Sequence, residues 1–177
     1  MQFNELVEAR RSVRKYVQSE ISRAELETII AEALNAPSWK NTEVTRYYAA
    51  IDEQAKSRLW DESVLAFNVE RSRNAAALVA IAFKRGESGF TEGEPTNELG
   101  EMLGAYDCGL ASSYFILAAK DHGWDSLIMG CRDERRVREI FGIDDDEVLM
   151  SVIALGKSGQ PYAKNQRKTI QEVFKVL

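Results

Sequence analysis

The chain has 177 residues, 45% of them hydrophobic and 29% charged, with only three prolines, enough for one packed domain that needs no staples. Lys and Arg total 23 against 28 Asp and Glu, and the resulting formal charge of −5 argues against a nucleic-acid partner. One histidine, His122, and two cysteines outside any CxxC pattern are too few for a zinc or iron–sulfur centre, and they exclude a Ser–His–Asp or Cys–His mechanism unless His122 is its base.

The first eight residues are short and acidic, without the basic and apolar segments of a leader, and no run reaches the roughly 18 uninterrupted apolar residues of a membrane span. The expected setting is therefore the cytoplasm, with reduced thiols. Asn4 is placed to cap a short first helix, which runs into Arg10-Arg11-Ser12-Val13-Arg14-Lys15-Tyr16-Val17, where valines among cations predict a change to extended chain. Ser22 and Glu25 have the capping-box spacing, and Leu26, Ile29, Ile30, Ala33 and Leu34 repeat at helical intervals until Asn35-Ala36-Pro37. A loop at 38–42 leads to a strand at 45–51. Residues 52–74 predict a broken helix, and the apolar run 75–83 a strand buried on both faces.

Residues 84–97, with three glycines and a proline among acids, predict a mobile excursion between two core-forming stretches. The stretch 98–122 predicts a long helix whose apolar positions run most of the way round, so that it should be central or pressed against a partner subunit. Gly123 ends it, 124–130 returns as a strand, 132–141 is a surface helix, and 147–156 is a second buried strand. The tail is polar until 169–176, which could add one edge strand. The sum is an α+β fold in a single domain over 1–177.

Two cationic knots break the acidic average: Arg10, Arg11, Arg14 and Lys15 near the start, and Lys164, Arg167 and Lys168 near the end. Two guanidiniums and a short hydroxyl suit a phosphate monoester, and Arg10, Ser12 and Arg14 would share one face of an extended chain. The same run also reads as a solvated basic patch at a helix C-terminus. Asn41 and Asn68 carry amides that both donate and accept, as a ring of alternating carbonyl and imide groups requires, although a loop asparagine is commonly a turn residue. Met129-Gly130 offers backbone N–H groups at a strand end. Asp107, His122 and Asp125 are weaker acid–base candidates, since His122-Gly123 is a helix terminus where the ring would meet the last carbonyls. Cys108 reads as inert core.

The ordered set Arg-Arg-Ser-Val-Arg-Lys-Tyr (10–16), Asn-Ala-Pro-Ser-Trp-Lys-Asn (35–41), Phe-Asn (67–68), Asp-Cys-Gly-Leu-Ala (107–111), His-Gly-Trp-Asp-Ser-Leu-Ile-Met-Gly (122–130), Ala-Leu-Gly-Lys (154–157) and Arg-Lys-Thr-Ile-Gln-Glu-Val (167–173) resembles the FMN-dependent nitroreductase family over almost the whole chain. The resemblance implies a three-layer α+β sandwich with a mixed, mainly antiparallel sheet around a long central helix. It also implies an intertwined homodimer with FMN in each interface cleft, and a C-terminal segment, about 165–177, that crosses onto the partner. By the same resemblance Arg10, Arg11, Ser12 and Arg14, with Lys164 and Arg167, match the phosphate-binding positions. Asn68 matches the amide at the pyrimidine edge, and Met129 and Gly130 the backbone donors near flavin N5. Pro37, Ser38, Trp39 and Asn41 match a loop that reaches the flavin from the other subunit.

The implied activity is hydride transfer from NADH or NADPH, through flavin, to nitro, quinone or similar planar acceptors by a ping-pong cycle, with no catalytic side chain and no metal. A flavin store, sensor or flavin-consuming enzyme of the same fold is the second reading. The chain departs from the family pattern in three places. Thr42-Glu43-Val44 replaces a frequent Gln-Pro-Trp, Asn165 stands where lysine is frequent, and the 84–97 excursion is short and acidic, which would disfavour anionic NADPH.

Overall fold

The computed structural model covers residues 1–177. Two apolar strands organise it: β3 (Ala77–Lys84) and β7 (Glu147–Ser158) pair antiparallel along their length, with a bulge between Ile81 and Ala82. On the far side of β3 lies β2 (Thr45–Ala50); on the far side of β7 lie β6 (Asp125–Met129) and the two-residue β1 (Tyr16–Val17). Every ladder in this five-stranded sheet is antiparallel, and its parallel component is an isolated bridge between Ser12 and Ser126. Buried apolar residues on both faces of β3 explain why this run shows no alternation in the sequence.

Helices cover both faces, giving the three-layer α+β sandwich. α2 (Arg23–Ala33) and α5 (Met102–Asp121) enclose one core around Ile29, Phe115, Val79 and Ile81. On the other face α3 (Glu53–Glu62) and α6 (Glu134–Phe141) close a second core around Leu59, Trp60, Val137 and Val152. The Ser22–Glu25 capping box starts α2 as the spacing predicts, and the 52–74 stretch breaks into α3 and α4 (Ala66–Ser72).

Four expectations need correction. Gln2, not Asn4, caps α1 (Phe3–Ala9), because Glu5 stands three residues on and completes a reciprocal box. Residues 84–97 fold into a small hairpin of β4 (Phe90–Thr91) and β5 (Glu94–Pro95), and Ser88 within it is buried. The C-terminal run forms a single helical turn, α7 (Ile170–Val173), instead of an edge strand, because Thr169 and Glu172 make a capping box. His122 reaches Glu32 on α2, with Nε2 and Oε1 2.8 Å apart, and not the last carbonyls of its own helix.

α5 is long and apolar enough to span a bilayer by length and composition, yet one face is core, with Cys108, Phe115 and Ala119 at 0–1% exposure. Its other face shows Met102, Tyr106 and Tyr114 to solvent, so the all-round apolarity expected of a central helix is half used within one chain.

Candidate functional site

The chain leaves α1 at Arg10 in an extended conformation, and Val13 N–H then donates to Ser126 O at 2.9 Å, docking the cationic run along the outer edge of β6. Val13 is buried at this seam and Arg14 N–H donates to Tyr162 Oη at 2.9 Å, tying the C-terminal tail to the same place. The result is a cleft of about 530 Å³ whose walls carry Arg10, Arg11, Ser12, Lys164 and Arg167 over an apolar floor of Ile116 and Ile128. The two cationic knots, more than 150 residues apart in sequence, thus meet in one cleft.

Arg10, Arg11 and Arg167 take part in none of the molecule's ion pairs. Partial burial, and after it the neighbouring charges of Arg167 and Arg11, hold the Arg10 guanidinium below its usual pKa. Arg11 donates through Nη1 to Arg10 O at 2.7 Å, while its Nε is buried with no partner. Lys164 differs: it is paired with Glu8 at 2.5 Å, and Glu8, the one carboxylate on the cleft wall, is held below the usual carboxylate range by that contact.

Arg14 stands apart from the cleft, its guanidinium turned back onto Ser12 O at 3.2 Å. A period of two would put Arg14 on the face of Arg10 and Ser12, but only Ser12 in this segment is bridged, so regular alternation does not hold from 10 to 14. Tyr162 and Glu8 belong to the site although no motif in the sequence marks them, and Asn165, a departure from the family pattern, lines the cleft as well.

Beyond the cleft, β6 continues to Met129, which is buried, and Gly130, which is exposed. Gly130 O accepts from Arg132 Nη1 at 2.7 Å, and Cys131 O accepts from Asn68 Nδ2 at 3.1 Å. Both carbonyls are therefore held from behind, while the N–H groups of Gly130 and Cys131 have no partner in the chain. Asn68 is almost fully buried on α4, and the strand end also meets the second core through Met129 and the Val64–Arg132 bridge.

Pro37, Ser38, Trp39 and Asn41 form a separate group around a 3₁₀ turn, Trp39–Asn41. Lys40, Asn41 and Glu43 all have positive φ, which fixes a tight path: Ser38 Oγ accepts Glu43 N–H at 3.0 Å and Asn41 Nδ2 donates to Glu43 Oε1 at 2.8 Å. The turn rests on Asp107 of α5, whereas the cationic cleft rests on Ile116, nine residues or about 13 Å further along the helix. Within one chain the two groups do not face a common cleft.

The acid–base candidates are all engaged. Asp125 pairs with Lys120 at 2.8 Å and accepts Ser158 N–H at 3.1 Å, and Asp107 accepts from Trp39 and Ser88. Burial pushes the Cys108 thiol up to about 11, in keeping with inert core. Asp144, Asp146 and Glu147 bring carboxylates together, but Asp146 is paired with Lys84 and Glu147 accepts from Tyr48 Oη.

A family model described as the Nitroreductase family matches residues 7–157. Among curated relatives, the Bacillus subtilis protein named "Putative NAD(P)H nitroreductase YdgI" is 25% identical over 201 aligned residues, spanning 97% of this chain and 95% of its own. The "CLA biosynthesis enone reductase" of Lactiplantibacillus plantarum is 27% identical over 184, with 85% and 83% spanned. Among solved structures, the enone reductase CLA-ER superposes with a TM-score of 0.86 at 22% identity, covering 99% of this chain and 98% of that one. An Exiguobacterium sibiricum protein titled a "putative nitroreductase in complex with FMN" gives 0.80 at 23%, covering 100% and 98%. These structural likenesses carry the fold.

Proposed function

The chain belongs to the nitroreductase family, and from that premise we propose that it is an FMN-dependent oxidoreductase passing hydride from NADH or NADPH to nitro compounds, quinones or similar planar acceptors in a ping-pong cycle. The observation that carries this reading is the cleft of Arg10, Arg11 and Arg167, three guanidiniums that enter no ion pair. A phosphate monoester, with close to two negative charges and several acceptor oxygens, is the group such a cleft fits. The cleft volume of about 530 Å³ lies in the usual range for small-molecule sites, about 300–1,000 Å³. The buried, unpartnered Arg11 Nε is a further donor that an anion would satisfy.

Bound FMN supplies hydride acceptance and donation, which is why the chain needs no catalytic histidine or cysteine. Arg10, Arg11, Ser12 and Arg167 would hold its phosphate, while Arg14 is turned away from the cleft and Lys164 is neutralised by Glu8. The free N–H groups of Gly130 and Cys131, braced by Arg132 and Asn68, are suited to stabilise negative charge on an electron-rich ring, and such preorganised donors cost no rearrangement. Asn68 retains a free Oδ1 to offer the ring.

Pro37, Ser38, Trp39 and Asn41 complete the site from a second copy in a homodimer. Support for the second copy comes from the exposed apolar face of α5 and from the tail, where Ile170, Val173 and Phe174 are each more than 60% exposed. Steady-state kinetics of the FMN-loaded protein, varying NADH or NADPH against a quinone, test the proposal. Parallel double-reciprocal lines are expected, and intersecting lines, or no turnover with either donor, would overturn it.

A further inference from the structure

Asp107 is a buried carboxylate, 3% exposed, that forms no ion pair. Its Oδ2 accepts two hydrogen bonds from segments distant in sequence: Trp39 N–H at 2.9 Å and Ser88 Oγ at 2.6 Å. Ser88, 2% exposed, belongs to the 84–97 excursion, and Trp39 to the loop at 37–41. The two segments meet a second time at their tips, where Lys40 Nζ lies 4.3 Å over the Trp39 ring and donates to Thr91 Oγ1 at 3.0 Å. The excursion is also seated on the start of α5: Gly86 N–H donates to Glu101, the residue before the helix, and a Cβ at Gly89 would lie 2.8 Å from Leu103.

A carboxylate taken out of water without a cation is retained at a cost, and its two donors offset that cost only while both stay in place. We propose that Asp107 is a positioning residue: by holding Trp39 N–H and Ser88 O–H on one oxygen, it makes the hairpin and the 37–41 loop a single wall, so that a change in the hairpin is transmitted to Trp39. In catalysis this wall fixes where Trp39 stands against the acceptor, and that part rests on the proposed flavin function. The short excursion is thus a strut for the loop.

The test uses the full-length protein and three variants, Ser88→Ala, Asp107→Asn and Asp107→Ala. Amide hydrogen exchange is read at Trp39 without FMN, and the acceptor KM and kcat with it. Ser88→Ala does not touch Trp39, yet exchange there should rise roughly fivefold to tenfold, the scale of one ordinary hydrogen bond. The acceptor KM should rise by a similar factor with kcat little changed. Asp107→Asn can present its carbonyl oxygen to both donors and should stay near wild type, whereas Asp107→Ala should lose protection at Trp39 and in residues 89–96 together.

Unchanged Trp39 exchange in Ser88→Ala, or an asparagine variant as impaired as the alanine one, would overturn the proposal. If Asp107→Ala fails to fold, the other two variants still decide. Failure to bind FMN would defeat the flavin reading and leave the exchange result standing by itself.

Discussion

Replacing Arg10 by alanine probes the phosphate cleft directly. In the ligand-free chain Arg10 has no carboxylate partner and is opposed by Arg167 and Arg11, so its removal relieves repulsion and should leave the melting temperature unchanged or slightly raised. With a phosphate in the cleft the balance inverts, since a charge-assisted hydrogen bond from a half-buried guanidinium is worth about 1.5–3 kcal/mol. FMN affinity should therefore fall about tenfold to a hundredfold or slightly more. Riboflavin has the same ring without the phosphate, and its affinity should barely move. Flavin fluorescence titration of wild type and Arg10→Ala with both ligands gives the four numbers needed. The wild type should also lose more FMN affinity than the variant as salt is raised, because one fewer cation is left to be screened. Unchanged FMN affinity, or equal losses for FMN and riboflavin, would refute the assignment.

Three further predictions address the rest of the structure. Cys131 is exposed beside the free N–H of Gly130, while burial raises the Cys108 thiol to about 11; at pH 8 one thiol per chain should react with an aromatic disulfide reagent, more slowly when FMN is bound, and the second only on unfolding. At Gly156 a Cβ would lie 2.6 Å from the buried Tyr16 ring, so Gly156→Ala should cost about 1–3 kcal/mol in denaturant unfolding by overpacking. Deleting residues after Gln166 removes Arg167 and an exposed apolar tail that belongs to neither core, so sedimentation and absorbance should show a folded chain that has lost its dimer and most of its FMN affinity. A stable FMN-loaded dimer after this truncation would refute the crossing tail.

The parts of the fold legible in the sequence are those whose signals are local. The Ser22 capping box, the apolar runs that became β3 and β7, and the break between α3 and α4 each rest on a few neighbouring residues. What escaped depends on contacts far apart in the chain. Arg10, Arg11 and Arg14 are alike in the sequence, and only the path set by the Ser12–Ser126 bridge turns Arg14 away, just as the hairpin within 84–97 is seated by Ser88 reaching Asp107 nineteen residues away. His122 looked like a local cap because nothing nearby reveals Glu32, ninety residues earlier. Among the site residues, charge is the readable feature: residues of the two basic knots line one cleft, whereas nothing in the composition reveals that Glu8 occupies Lys164.

The central claim, that this chain works through a bound flavin reduced by a nicotinamide, is tested most directly by the visible spectrum of the FMN-loaded protein without oxygen. Addition of NADH or NADPH should bleach the flavin bands, and a quinone added afterwards should restore them. Flavin bands that persist in the presence of both donors, or a colourless protein that takes up no added FMN, would contradict the account.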